Sequence, residues 1–128
     1  MIIDTSALAA IAFTEPGHEE ILAKLAAPSA KGMGTPTIVE TGILFTARMK
    51  EDAGPLVARL LHEFEIVTVP FGEDHWRAAV EGFVRFGKGR HRAALNFGDC
   101  FAYAVARLSG EPLLCVGDDF AQTDLTLA

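Results

Sequence analysis

Met1-Ile2-Ile3-Asp4-Thr5-Ser6-Ala7-Leu8-Ala9-Ala10-Ile11-Ala12-Phe13 opens the chain, and its reading decides the fold. Met1-Ile2-Ile3 is a short buried-strand signal, and Asp4-Thr5-Ser6 supplies helix-starting residues ahead of an apolar helical run. The chain therefore begins strand, acid, helix. Further along, a second helix is predicted from about Pro16 to Ala26, with Ile21, Leu22 and Leu25 inward and Pro28 and Gly32 ending it. A short strand near Met33 and Gly34 leads to Thr35-Pro36-Thr37, where Pro36 suits a first helical position, and the helix runs on through Glu40 to about Met49. Gly54-Pro55 breaks the chain before an amphipathic helix carrying Leu56, Leu60, Leu61 and Phe64. Ile66-Val67-Thr68-Val69 is β-branched and reads as a strand. Glu73 to Phe86 reads as a helix with Trp76, Val80, Phe83 and Val84 as its apolar positions. Asn96-Phe97-Gly98-Asp99 opens a last long helix that stops at Gly110, and Leu113-Leu114-Cys115-Val116 is a final buried strand. Short apolar strands separated by helices make parallel β-α units, so the fold class is α/β, a small and mostly parallel sheet between helical layers.

Length and composition agree with one domain over residues 1–128. Half of the 128 residues are hydrophobic and 22% are charged, and a chain of this size buries about two-thirds of its unfolded surface without disulfide or structural metal. Cys100 and Cys115 lie in apolar runs as reduced thiols and are too few for a zinc framework. The longest apolar stretch, Ala7 to Phe13, is far below the roughly 18 residues of a membrane span, and Asp4 stands where a signal peptide would be basic. The expected setting is the cytoplasm, with no membrane partner. Lys and Arg number 11 against 17 Asp and Glu, a net charge of −6, which taken alone disfavours nucleic acid.

The acids recur at one kind of place: Asp4 after the first strand, Glu40 early in a helix, Asp99 at a helix start, Asp118 and Asp119 after the last strand. In a parallel sheet such junctions gather at the C-terminal edge. Each also has an ordinary structural explanation, as a cap, a dipole partner or a turn residue. Thr37-Ile38-Val39-Glu40 has capping-box spacing, whereas Pro36 at the first helical position would place the cap at Thr35 and leave Glu40 facing the sheet edge. The conjunction is more informative than any member. Carboxylates within about 6 Å repel unless a multivalent cation neutralises them, and oxygen-only ligands favour Mg²⁺ or Mn²⁺. Such a site can assist phosphoryl displacement by water. Thr5 and Ser6 add hydroxyls and Asn96 an amide. His18, His62, His75 and His91 share no ligand spacing. From Gly82 to Gly98 there is no acid, while Arg85, Lys88, Arg90 and Arg92 form a basic stretch before Asp99, either a solvated loop or a rim that engages a phosphate backbone.

Met1-Ile2-Ile3-Asp4-Thr5-Ser6-Ala7, the mid-chain Glu40, Leu95-Asn96-Phe97-Gly98-Asp99-Cys100-Phe101-Ala102-Tyr103-Ala104 and Gly117-Asp118-Asp119-Phe120 together resemble a PIN-domain ribonuclease of the VapC toxin family. The resemblance covers essentially the whole chain. It implies a three-layer α/β/α fold and a Mg²⁺- or Mn²⁺-dependent endoribonuclease that leaves 5′-phosphate and 3′-hydroxyl ends. It carries metal-binding and catalytic roles to Asp4, Glu40 and Asp99. Asp118 is the expected fourth acid, with Asp119 sharing that work or capping the short helix from Phe120. It also implies a cognate VapB antitoxin over the site and a homodimer. The helices carrying Leu44, Phe45, Leu60 and Leu61 offer surface for either contact, or core. A phospho-accepting domain would show paired acids after the first strand and a late Lys, whereas Asp4 is alone there and no Lys follows Lys88. A metal-dependent adhesion module would need a second Ser where Leu8 stands.

Overall fold

The computed structural model describes every residue, Met1–Ala128. Strand β1 (Ile2–Ile3) is followed by α1 (Thr5–Ala12), α2 (His18–Ala26), β2 (Lys31–Gly34), α3 (Thr35–Met49) and α4 (Gly54–Glu63). Then come β3 (Ile66–Val69), α5 (Glu73–Phe86), α6 (Phe97–Ser109), β4 (Leu113–Leu114) and a 3-10 turn at Phe120–Gln122. All neighbouring strands are parallel, in the order β3-β2-β1-β4. The chain leaves β1 toward β2 and β3 on one side and returns to β4 on the other. The switch point therefore lies between β1 and β4, where open α/β sheets hold their sites, and Asp4 is the next residue after β1.

Alternation of side chains along each strand divides the core. Ile2 and Leu113 face one layer, packed with Ala78, Tyr103 and Val105 of α5 and α6. Ile3 and Leu114 face the other, with Leu8, Leu25, Met33 and Phe45 from α1, α2, β2 and α3. These are the two outer layers of an α/β/α sandwich. No helix is long and apolar enough to cross a membrane.

Several local expectations are corrected. Helix α2 starts at His18 because Gly17 takes a left-handed conformation at φ 86°, and Gly32 lies inside β2, where Val69 closes over it. Leu22 is exposed, and only Ile21 and Leu25 face inward. Helix α3 starts from Gly34, with no side-chain cap, rather than from Thr35. Strand β4 ends at Leu114. The largest change is on α5, whose Trp76, Val80, Phe83 and Val84 are exposed, while Ala78, Ala79, Gly82 and Phe86 face the core. Small residues are inside because α5 lies directly on the fully buried Tyr103 of α6. A methyl group at Gly82 would fall on the Tyr103 ring. Gly82→Ala should accordingly lower stability by about 1–3 kcal/mol, as overpacked cores do, although Ala is the better helix former; the midpoint of urea unfolding measures it.

Candidate active site

Asp4 caps α1. Its Oδ2 accepts hydrogen bonds from the Ser6 backbone N–H at 3.0 Å and the Ser6 hydroxyl at 2.6 Å. Ser6 Oγ in turn accepts from Val116 N at 2.9 Å, tying the end of β1 to the segment after β4. Asp4 is only 5% exposed. Burial pushes its carboxyl above the ordinary range, and the hydrogen bonds from Ser6 and Thr5 act in the opposite direction.

Glu40 does not make the capping box. Its Oε1 accepts from the Thr5 hydroxyl at 2.7 Å, and Thr5 Oγ1 lies 2.9 Å from Thr41 Oγ1. Thr41 Oγ1 also lies 2.8 Å from the Thr37 carbonyl oxygen. With one proton per hydroxyl, Thr5 spends its own on Glu40, and the single Thr41 proton goes either to the Thr37 carbonyl or to Thr5 Oγ1. The Glu40 carboxyl is raised chiefly by burial; the Thr5 bond opposes this and the charge of Asp4 adds to it. Gly98 makes the close approach of α6 to Glu40 possible, since a methyl there would land on Oε2.

Asp99 and Asn96 form a reciprocal capping box at the start of α6. Asp99 Oδ2 accepts from Asn96 N at 3.0 Å, and Asn96 Oδ1 accepts from Asp99 N at 2.9 Å. Asn96 is thus a cap. The Asp99 carboxyl is pushed up to about 6, first by burial, with the Asn96 N–H opposing and the charges of Asp4, Asp119 and Glu40 adding. It is Asp119, not Asp118, whose charge acts on Asp99 and on Cys115. Both acids after β4 are exposed in the turn that leads to Phe120. Burial, with the charges of Asp4, Asp99 and Asp119 adding, raises the Cys115 thiol to about 11, which disfavours the reactive thiolate.

Asp4, Thr5, Ser6, Glu40 and Asp99 line one cleft of about 360 Å³, together with two residues the sequence did not single out, Glu15 and Arg48. Asp118, Asp119 and the four basic residues are not among its walls. Arg85 is engaged with Asp124 at 3.1 Å, and Arg90 Nε donates to the Val84 carbonyl at 2.9 Å. Lys88 and Arg92 are exposed, on a loop closed at its base by the Gly87–Leu95 pairing. Next to the cleft, sharing Glu40 and Leu44, runs an apolar groove of about 590 Å³ walled by Val39, Ile43, Phe97 and Phe101. Phe45 and Leu60 belong to the core and offer no contact surface; Leu44 does.

The donor set suits a hard cation. Every candidate ligand is an oxygen, all three carboxyls are raised by burial, and the charge of Asp4 adds to Glu40 and those of Asp4 and Glu40 to Asp99, a situation that a bound cation relieves. As the side chains stand, no three His, Cys, Asp or Glu groups are gathered closely enough to hold a metal ion, so an ion in the cleft would draw the carboxylates together or keep several of its own waters, as Mg²⁺ does. Three of the histidines serve turns and caps: His18 Nδ1 meets the Glu15 carbonyl, while His75 and His91 accept from Gly72 N and Ala93 N.

Known proteins share both the sequence and the fold. The PIN domain family pattern matches residues 1–125. Ribonuclease VapC36 of Mycobacterium tuberculosis is 46% identical over 98% of this chain and 91% of its own length. Ribonuclease VapC of Mycolicibacterium smegmatis is 42% identical over 98% of this chain and 97% of its own. Among solved structures, M. tuberculosis VapC20, described as a sarcin-ricin loop cleaving toxin, superposes with a TM-score of 0.78 at 21% identity, covering 99% of this chain and 97% of that one. A toxin-antitoxin complex from Klebsiella pneumoniae gives 0.69 at 18% identity, covering 99% and 95%. A matching sequence pattern, relatives aligned almost end to end and the shared three-layer fold place this chain in the PIN domain family, among its VapC members.

Proposed function

We infer that the protein is a metal-dependent endoribonuclease, the toxin of a toxin-antitoxin pair, which cuts RNA by water attack and leaves 5′-phosphate and 3′-hydroxyl ends. The observation that carries this is the meeting of Asp4, Glu40 and Asp99 in one cleft at the switch point of the sheet, where the charge of Asp4 raises Glu40 and the charges of both raise Asp99. That the protein's relatives are ribonucleases supports RNA as the substrate. Asp4, Glu40 and Asp99 would hold Mg²⁺ or Mn²⁺, with Asp118 or Asp119 as the exposed fourth acid; of the two, Asp119 is the one whose charge adds to Asp99. Bound there, such an ion supplies Lewis acidity and lowers the pKa of water.

The chain's own groups do the rest. Ser6 fixes the Asp4 carboxylate and Thr5 fixes Glu40. The Asn96–Asp99 box sets the α6 carboxylate at the cleft without a flexible stem. Lys88 and Arg92 are available to a phosphate backbone on the loop before α6, whereas Arg85 and Arg90 are already occupied. The apolar groove beside Glu40 suits the antitoxin's covering segment, and the exposed Trp76, Val80 and Phe83 of α5 suit a second copy. RNA as substrate implies action in the cytoplasm.

Purified protein should cut a structured RNA when Mg²⁺ or Mn²⁺ is added and stop when EDTA is present, with product ends read by 5′-phosphate-dependent ligation. Cleavage that persists in EDTA, at equal rate in wild type and Asp4→Asn, would overturn the reading.

A further inference from the structure

The acidic cleft contains one cation. Glu40, Leu44 and Arg48 follow at four-residue intervals along one face of α3, and all three line the cleft with Asp4 and Asp99. The Arg48 guanidinium lies 3.8 Å over the Phe13 ring centroid, and Phe13 is itself set edge-on against the fully buried Phe45 at 5.0 Å. Arg48 Nη1 is 3.9 Å from Glu15 Oε1, with half the side chain exposed. An ion pair that long and that wet adds little stability. Nor is Arg48 a counter-ion to Asp4, Glu40 or Asp99: its one ion pair is the long one to Glu15. A guanidinium stacked on a ring, aimed into a cleft and weakly held by one carboxylate is preorganised for an anion, and its planar fork matches phosphate.

We propose that Arg48 binds a backbone phosphate of the RNA strand and sets the strand's register over Asp4, Glu40 and Asp99, with Glu15 holding the guanidinium until RNA arrives. The inference rests on the ribonuclease reading, and it adds a substrate-positioning residue to that site.

The probe is a labelled RNA stem–loop, used for cleavage with Mg²⁺ and for binding in an Asp99→Asn background. Arg48→Gln should raise KM about tenfold or more, as expected for a lost hydrogen bond to a charged group, with a much smaller change in kcat. It should also spread cleavage over neighbouring positions and reduce the slope of log Kd against log salt by about 0.7, one phosphate contact on a single strand. Arg48→Lys should recover part of the KM but not the single cleavage position. Glu15→Gln discriminates a merely bracing role: on the proposal it binds RNA at least as tightly as wild type. Unchanged KM and salt slope in Arg48→Gln, or Glu15→Gln reproducing its defects, would overturn the assignment. If wild type leaves the stem–loop uncut with either metal, the ribonuclease reading fails, and the salt slope of binding still decides for or against Arg48.

Discussion

Asp99→Asn should lower RNA cleavage by more than about 100-fold while raising the melting temperature of the metal-free protein at neutral pH. The activity loss exceeds the 10- to 100-fold seen when only the outer supports of metal ligands are removed, because a proposed ligand itself loses its charge. The stability gain follows from the environment of the carboxylate. Burial and the charges of Asp4, Asp119 and Glu40 move Asp99 from its ordinary 3.8 up to about 6 in the folded protein. The folded state therefore binds more protons than the unfolded chain between those two values, and the Asp99 contribution to stability is lost as pH rises through about 6. Asn carries no charge to desolvate, and its side-chain oxygen still accepts from the Asn96 N–H in the capping box. Thermal melts in EDTA across pH 4 to 7 should show wild type falling relative to Asp99→Asn over that window, with added Mg²⁺ narrowing the difference at neutral pH. A variant that is inactive but less stable than wild type throughout would mean that the carboxylate is structural rather than poised for a cation.

The contrast between what sequence revealed and what it hid follows from local against non-local causes. The β1–Asp4–α1 unit and the start of α6 were legible because strand, cap and helix signals lie within a few adjacent residues. The inner face of α5 was not. Its apolar stripe of Trp76, Val80, Phe83 and Val84 is real, but the Gly82–Tyr103 approach turns the small-residue face inward, and Tyr103 is remote in sequence. Likewise Phe45 and Leu44 are adjacent and equally apolar, and only the packing of α3 on Phe13 and the core buries one and exposes the other. The choice between Asp118 and Asp119 depends on turn geometry that no pattern encodes, and of the two only Asp119 adds its charge to Asp99. Arg48 escaped notice because its relevance depends on α3 bringing Glu40 and Arg48 along one face to the same cleft. Gly98 did carry a signal. Glycine in the first turn of a long helix is a poor helix former, which points to a close approach that no other residue permits.

That close approach makes Gly98→Ala a sharper probe of the site than removal of any acid. The added methyl would land on Glu40 Oε2, and the side chain that yields is Glu40, whose Oε1 is held only by the 2.7 Å bond from Thr5. Cleavage should fall by about 10- to 100-fold, the range for displacing a ligand's support, with every acid still present. The fold should not suffer, because Ala gains up to about 1 kcal/mol over Gly as a helix former and Glu40 can swing outward toward the open groove it already lines. A double-mutant cycle separates displacement of Glu40 from a general disturbance of α6. If the methyl acts only through Glu40, Gly98→Ala costs nothing further in a Glu40→Ala background, where the carboxylate is gone, and the two effects are strongly non-additive. If the losses simply add, the methyl at Gly98 acts on Asp99 and the helix start and not through Glu40.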